Sequence, residues 1–356
     1  KQYLVERGLT EATVRLFRLG YASTTWDSLT TFLKASSYTE QDMLDVGLII
    51  ARKDAKGGYD RFRNRIMFPL NDPQGRVVGF SGRIFDARVE NKEKAGGKYI
   101  NSPESEFYDK SSILYGYDCA KKSISYEKSC IIVEGQMDLV MAHQANTKHC
   151  VALSGTALSE RQLTLLARSA TKLIFALDAD SAGSQAVTRS VLATLEKDLD
   201  VAIVQLPVGA DPADVIRTSP ETWHKLLEKP LSYITWKCRD MRNSDARTLR
   251  SILIRDVFPA LLSMKSPIIL ERALQEASTH SGYTFETLSK EFRTWQSNNK
   301  DALESFEPIS DSLSSKALTL DDTSSDTSRI GTSSKESRLI TLSNLIHLAK
   351  QRTESN

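Results

Sequence analysis

The 356-residue chain has no apolar run approaching the roughly 18 residues that a membrane-spanning helix needs, and its opening, KQYLVERGLTEATVRLF, contains no apolar signal segment. A soluble, cytoplasmic protein with no membrane partner is expected. Cysteine is scarce too. Cys119, Cys130, Cys150 and Cys238 are the only four, and none forms a C-x-x-C pair, so a zinc knuckle is excluded. Cys130 and Cys150 open apolar runs that read as buried strands, which makes them small core residues in a reducing compartment. Charge of one sign is nearly absent from the total: the net charge is +2 and the pI about 8.2, so any surface for a polyanion must be local. None of the five histidines has a partner spacing that suggests a nucleophile or a metal ligand. The chain also lacks an initial methionine and enters a helical pattern at once, so it reads as a fragment.

What is present falls into distinct textures. As far as residue 51, apolar residues recur at helical spacing (Val14, Phe17; Leu29, Phe32, Leu33), punctuated by Gly8, Gly20 and Gly47. The runs RIMFPL and RVVGFSGR, separated by Asn71-Asp72-Pro73-Gln74-Gly75, predict an antiparallel hairpin. From Cys130 strands alternate with helices: CIIVEG, CVALSG, KLIFALD and VAIVQLP are each followed by a helical or turn segment, the pattern of a parallel sheet with covering helices. Helices are predicted near 214–228, 231–241, 245–263, 267–281 and 284–297. A Ser/Thr/Asp-rich stretch follows, which cannot offset the entropy of ordering.

Ligands of an open parallel sheet sit at the carboxyl ends of its strands, and acids stand at those ends here. Glu134 closes the first strand. Gly135 is expected to allow a sharp turn, and Asp138 falls on the first turn of the next helix. Asp178 and Asp180 end KLIFALDAD, and Asp211, with Asp214 nearby, follows VAIVQLPVGA. A single acid at such a place is ordinarily a helix cap, as Asp180 before Ser181 could be. Several on one edge repel unless cations separate them. Magnesium, with manganese as a substitute, suits an all-oxygen site, and two such ions about 3.5–4 Å apart are the arrangement of phosphoryl transfer.

A second concentration of charge lies upstream. Residues 52–98 carry twelve Lys and Arg against six acids. On a strand, Arg61, Arg63 and Arg65 would alternate onto one face, a row of guanidinium groups suited to phosphates, with Phe62 and Ile66 on the other.

EGQMD at 134–138, Ser154-Gly155-Thr156 and DADSAG at 178–183 resemble the Toprim domain, and YDRFRNRIMFPLNDPQGRVVGFSGR with KYINSPESEFYDKSSILYG resembles the basic subdomain of DnaG-type primases. The resemblance implies an α/β chain, α+β overall: a central Toprim-like parallel sheet flanked by an N-terminal mixed basic lobe and a C-terminal helical bundle. The expected divisions are 1–125 (basic lobe), 126–213 (Toprim), 214–297 (helices), 298–337 (linker) and 338–356 (start of a helicase-interaction region). It implies that Glu134, Asp178 and Asp180 hold the metal ions, that Asp138 and Asp211 complete the acidic surface, and that Arg83, Lys98, Asn101 and Lys110 contact template, primer or incoming nucleotide, with Arg61, Arg63 and Arg65 in the same groove. The implied activity is RNA primer synthesis from ribonucleoside triphosphates on single-stranded DNA, with the replicative helicase as partner. At ADPADVIR, where relatives commonly have D-P-D, Ala213 replaces the second acid, and Asp214 is expected as an outer contributor or helix cap. The alternatives are another Toprim enzyme, such as a topoisomerase or an OLD-like nuclease, or an inactive nucleic-acid-binding module.

Overall fold

The structure, a computed structural model, describes residues 2–52, 57–85, 97–155, 157–177, 181–239 and 245–299, and for 181–186 the backbone alone. Asp178 and Asp180, the linker and the terminal helix expected after it therefore lie outside the described residues. The chain divides into two compact units, with the boundary between Leu231 and Ser232.

The first unit opens with α1 (Gln2–Glu6), α2 (Glu11–Leu16), β1 (Gly20–Ala22), α3 (Ser28–Ala35), α4 (Glu40–Asp45), β2 (Ile49–Ala51) and β3 (Gly58–Asp60). Local chemistry sets the helix starts. Thr10 caps α2, and Thr39 with Asp42 forms a capping box on α4. The cap of α3 comes from a strand instead: buried Asp60 accepts the N–H groups of Leu29 (2.8 Å) and Thr30 (3.0 Å). Leu33, Met43, Leu48 and Ile49 form the core beneath.

The expected hairpin is present as β4 (Arg65–Asn71) and β5 (Val77–Ile84), antiparallel with a bulge at Leu70/Asn71. Asp72 makes the turn: its Oδ1 accepts the N–H groups of Gln74 and Arg76, both at 2.9 Å, and Gly75 takes the left-handed φ of +87° that the turn needs. With β1 and β6 (Tyr99–Asn101) these strands form a sheet in the order β1-β4-β5-β6.

After α5 (Tyr117–Glu127) come β7 (Ser129–Val133), α6 (Gln136–Gln144), β8 (Cys150–Ala152), α7 (Glu160–Ala167), β9 (Lys172–Phe175), α8 (Ser181–Glu196) and β10 (Asp200–Ile203). The strands are parallel in the order β10-β9-β7-β8, and a short strand beginning at Leu231 adds at the β10 edge. Cys130 and Cys150 are fully buried with free thiols, and burial drives both thiols well above their ordinary pKa. At the opposite edge Tyr115 and Ala152 exchange backbone hydrogen bonds (3.1 and 3.0 Å), so the outer side of β8 is met by main chain at Ala152.

The helix expected over 214–228 is two helices, α9 (Pro212–Thr218) and α10 (Pro220–Glu228), both within the first unit. Pro220 is the reason: the residue before a proline is pushed out of the helical region, and Ser219 (φ −159°, ψ 106°) ends one helix while its hydroxyl caps the next. Trp223 of α10, fully buried, donates its indole N–H to Thr147 Oγ1 at 2.9 Å.

The second unit is helical, as expected: α11 (Tyr233–Cys238), α12 (Ala246–Ile252), α13 (Phe258–Ser263), α14 (Pro267–Ser281) and α15 (Phe285–Asn298). The expected helix over 245–263 is interrupted by one wide π turn, Leu253–Val257. Buried Phe258 and Phe292 and the half-buried Trp295 pack ring against ring.

Candidate active site at the strand ends

The parallel register fixes where the acids stand. Ile132 pairs with Phe175, and beyond the strands Ala176 N–H donates to Ile132 O (2.9 Å) while Ser154 N–H donates to Glu134 O (3.0 Å). Continuing the register two steps past Ile132 sets Glu134 level with Leu177, the residue before Asp178. Glu134 is half-buried at this edge. Its carboxylate is a hard oxygen donor of the kind that suits a divalent cation, and in the sequence Asp178 directly follows Leu177. Among the described residues no three acids or histidines group closely enough to hold a metal ion.

Asp138 is engaged by main chain. It is 7% exposed; its Oδ2 accepts Gly135 N–H at 3.0 Å and its Oδ1 accepts Ala213 N–H at 3.2 Å. Gly135 also differs from expectation. Its φ of −102° and ψ of 153° are extended backbone that any residue adopts, so no sharp turn needs a glycine there. Asp211 is the N-cap of α9, its Oδ1 accepting Asp214 N–H at 2.7 Å. Asp214 is therefore not the cap; its side chain pairs with Arg217 at 2.8 Å on the surface.

The arginine row on one strand does not form. β3 ends at Asp60, Asn64 adopts a left-handed φ of 51°, and β4 begins only at Arg65. Asparagine tolerates that conformation, which breaks the two-residue alternation. The three guanidinium groups take different partners. Arg61 donates to Gly47 O at 2.8 Å, and burial lowers its pKa. Arg65 is 2% exposed and donates to Gly82 O (2.9 Å) and Gly97 O (3.1 Å), with burial and then the charge of Arg63 lowering its pKa. Arg63 lies 4.1 Å from the ring of Trp26 and 5.1 Å from that of Tyr59, and donates to Asp60 O. Trp26 is 59% exposed, so this aromatic and cationic stack faces solvent. Nothing in the sequence reading marked Trp26; its only signal is a tryptophan in an otherwise polar loop before α3.

Arg83 is placed differently from Arg65. Directly opposed residues of an antiparallel pair share a face, and the register pairs Arg83 with Tyr99 and Ser81 with Asn101. Ser81, Arg83, Tyr99 and Asn101 thus share one face of the sheet, whereas Arg65, opposite Ile84, projects from the other. That first face meets the start of α6, where buried Gln136 donates from Nε2 to Ser81 Oγ at 3.0 Å. Gln136 is the second residue after Glu134, so the face carrying Arg83 and Asn101 is tied to the acidic edge. The Arg83 guanidinium carbon is 5.8 Å from the Tyr99 ring centre. Burial raises the Tyr99 hydroxyl to about 12, against the lowering effect of Arg83. The Oδ1 of Asn101 is buried and has no hydrogen-bond partner among the described residues. Lys98 is exposed beside this face, and the half-buried Lys110 is anchored through its backbone N–H to Glu104 at 3.1 Å.

Two family models match. One described as DNA primase catalytic core, N-terminal domain, matches residues 1–121, and one described as Toprim-like matches residues 131–216. A DNA primase of Clostridium acetobutylicum is 37% identical over 261 residues, which are 72% of this chain and 42% of that protein. The crystal structure of the RNA polymerase domain of Mycobacterium tuberculosis primase DnaG is 30% identical, over 78% of this chain and 90% of that one, with a TM-score of 0.67. A structure described as the DnaG primase catalytic domain bound to ssDNA is 27% identical, over 80% of this chain and 90% of that one, with a TM-score of 0.65. The chain spans somewhat under half the length of that clostridial primase.

Proposed function

Because this chain belongs to the family of DnaG-type DNA primase catalytic cores, with an N-terminal primase domain and a Toprim domain, we propose that it synthesises short RNA primers on single-stranded DNA from ribonucleoside triphosphates. The observation that carries the reading is the tie between Gln136 and Ser81, which fastens the face bearing Arg83 and Asn101 to the strand end bearing Glu134. A polymerising site needs cationic groups for a triphosphate and a template beside acids for a metal, and that tie brings the two together.

Toprim domains of this family are metal-dependent; in the proposal the ion is magnesium, with manganese able to replace it, held by Glu134, Asp178 and Asp180. Bound there, the metal supplies charge neutralisation at the transferring phosphoryl group. Arg83 and Lys98 neutralise the triphosphate or template phosphates, and Asn101 shares the face that carries Arg83. The exposed stack of Trp26, Arg63 and Tyr59 supports a base of the template strand, since an aromatic face accepts any base. Arg61 and Arg65 act by holding backbone carbonyls in place rather than by touching nucleic acid.

Among the described residues no helix is long and apolar enough to cross a membrane. A cytoplasmic location is part of the proposal, as is docking on the replicative helicase, which co-elution on gel filtration tests. Incubation with single-stranded DNA, labelled ribonucleotides and magnesium or manganese tests the reading. Short RNA products without strand cleavage are expected; cleavage of the DNA without RNA synthesis would favour a Toprim nuclease or topoisomerase instead.

A further inference from the structure

We infer that Asp138 is a positioning residue, a clamp that holds the Glu134 and Asp211 turns at a fixed spacing, and not a ligand of the metal; this rests on the reading of Glu134 as a ligand. A helix leaves the N–H groups of its first turn without partners inside the helix. At α9 the accounting closes. Pro212 has no N–H, Ala213 N–H goes to Asp138 Oδ1 (3.2 Å), Asp214 N–H goes to the Asp211 side chain (2.7 Å), and Val215 N–H makes the first intrahelical bond, to Asp211 O (3.1 Å). At α6 the same carboxylate takes the N–H of Gly135, the N-cap residue, at 3.0 Å. One side chain therefore serves two helix starts, each of which follows directly from an acid of the site, Glu134 in one case and Asp211 in the other. What the site uses at Ala213 is its main-chain N–H.

Gly135 supplies a second, independent observation. Its backbone is extended and unstrained, yet a Cβ there would lie 2.7 Å from Asp138 Oδ2, closer than real contacts allow. The glycine is required by the carboxylate's approach to the N–H. Glu134, Gly135 and Asp138 are thus one device: a donor acid, a space and a clamp.

The test begins with the unaltered protein. Amide exchange at Gly135 and Ala213, followed by NMR, is expected to be slow without metal and to change by less than about twofold on adding magnesium. If both amides lose protection when magnesium binds, the carboxylate has left them for the ion and the clamp is overturned. Two variants then separate the roles: Asp138→Asn alters the carboxylate, and Gly135→Ala leaves every acid intact while displacing it. Both are expected to speed exchange at both amides about tenfold, the effect of losing a hydrogen bond to a charged group. In manganese titrations followed by EPR, both are expected to bind as many ions as wild type, severalfold more weakly. Loss of one bound ion in Asp138→Asn, with wild-type binding in Gly135→Ala, would make Asp138 a ligand and overturn the proposal. If the wild type binds no manganese, the reading of Glu134 fails, and the exchange rates judge the clamp alone.

Discussion

The acidic strand ends and the arginine-rich lobe carry opposite charge but share one economy. In each, some charged groups are taken up by the protein's own backbone. Asp138 accepts two main-chain N–H groups at the acidic edge, and Arg65 donates to two main-chain carbonyls in the lobe. Glu134 is half-buried at the strand end, and Arg83, itself buried, lies beside the Tyr99 ring on the face tied to that end. The number of charges in a segment therefore overstates the charge available to a ligand, and the partners of each group, not its burial alone, decide which kind it is.

The sharpest way to break this comparison is at Glu134. Glu134→Gln is expected to lower primer synthesis by about 10²–10³-fold, the scale of removing one electrostatic contributor from an active site, with the thermal unfolding midpoint nearly unchanged. A variant of wild-type activity would remove Glu134 from the site. Arg65→Met should do the converse. It strands two carbonyls and deletes a buried charge that was hydrogen-bonded, so a stability loss of about 3 kcal/mol is expected in urea unfolding. Arg83→Met, one strand away on the other face, should cost less stability and more activity. Equal stability losses would erase the distinction between the two arginines.

A change of pH probes the layer beneath the acidic edge. His143 of α6 is buried; its Nε2–H donates to Cys150 O at 2.9 Å, and burial lowers its pKa to about 4. The unfolded chain binds a proton near pH 6.5, so between about 6.5 and 4 the unfolded state holds the extra proton. Stability contributed by the neutral ring is complete above pH 6.5 and falls as the pH drops toward 4, by about 3 kcal/mol in total. Urea midpoints across that range should show the slope, and His143→Gln should flatten it.

Smaller effects separate neighbours. Trp26→Ala is expected to weaken single-stranded DNA binding about tenfold, within the range for one stacked base, with little change in stability. Asp211→Asn should keep the helix cap, which asparagine serves equally well, and hence the unfolding midpoint, while lowering metal-dependent synthesis. Asp214→Asn, whose partner Arg217 is on the surface, should cost well under 1 kcal/mol and leave activity intact. If Asp211→Asn also leaves synthesis intact, Asp211 is a cap and nothing more.

Sequence pattern alone was enough to find the parallel strands and the hairpin, because continuous apolar runs and an Asx turn around Asp72 are local signals, whereas the three-residue strands β1, β2 and β6 are too short to carry one. The parallel sheet and the place of Glu134 at its edge followed from the same runs. The arginine row did not, because alternation assumes that extended backbone continues, and one left-handed asparagine at position 64 ended it. Asp138 could be read as a first-turn acid, but its bond to Ala213 joins residues 75 apart in sequence and belongs to tertiary structure. The compact units part at Leu231/Ser232 and not at 214, because Asp138 of α6 bonds the start of α9 and Trp223 of α10 bonds Thr147, long-range contacts that composition does not show.

The reciprocal bonds between Tyr115 and Ala152 bear on how the protein is made. An open strand edge invites another chain to pair with it while folding is under way. Here the sealing segment precedes the strand it seals by fewer than forty residues and leaves the ribosome first. The edge of β8 can be covered as soon as that strand is added, so a nascent chain passes its most adhesive moment with the covering already to hand.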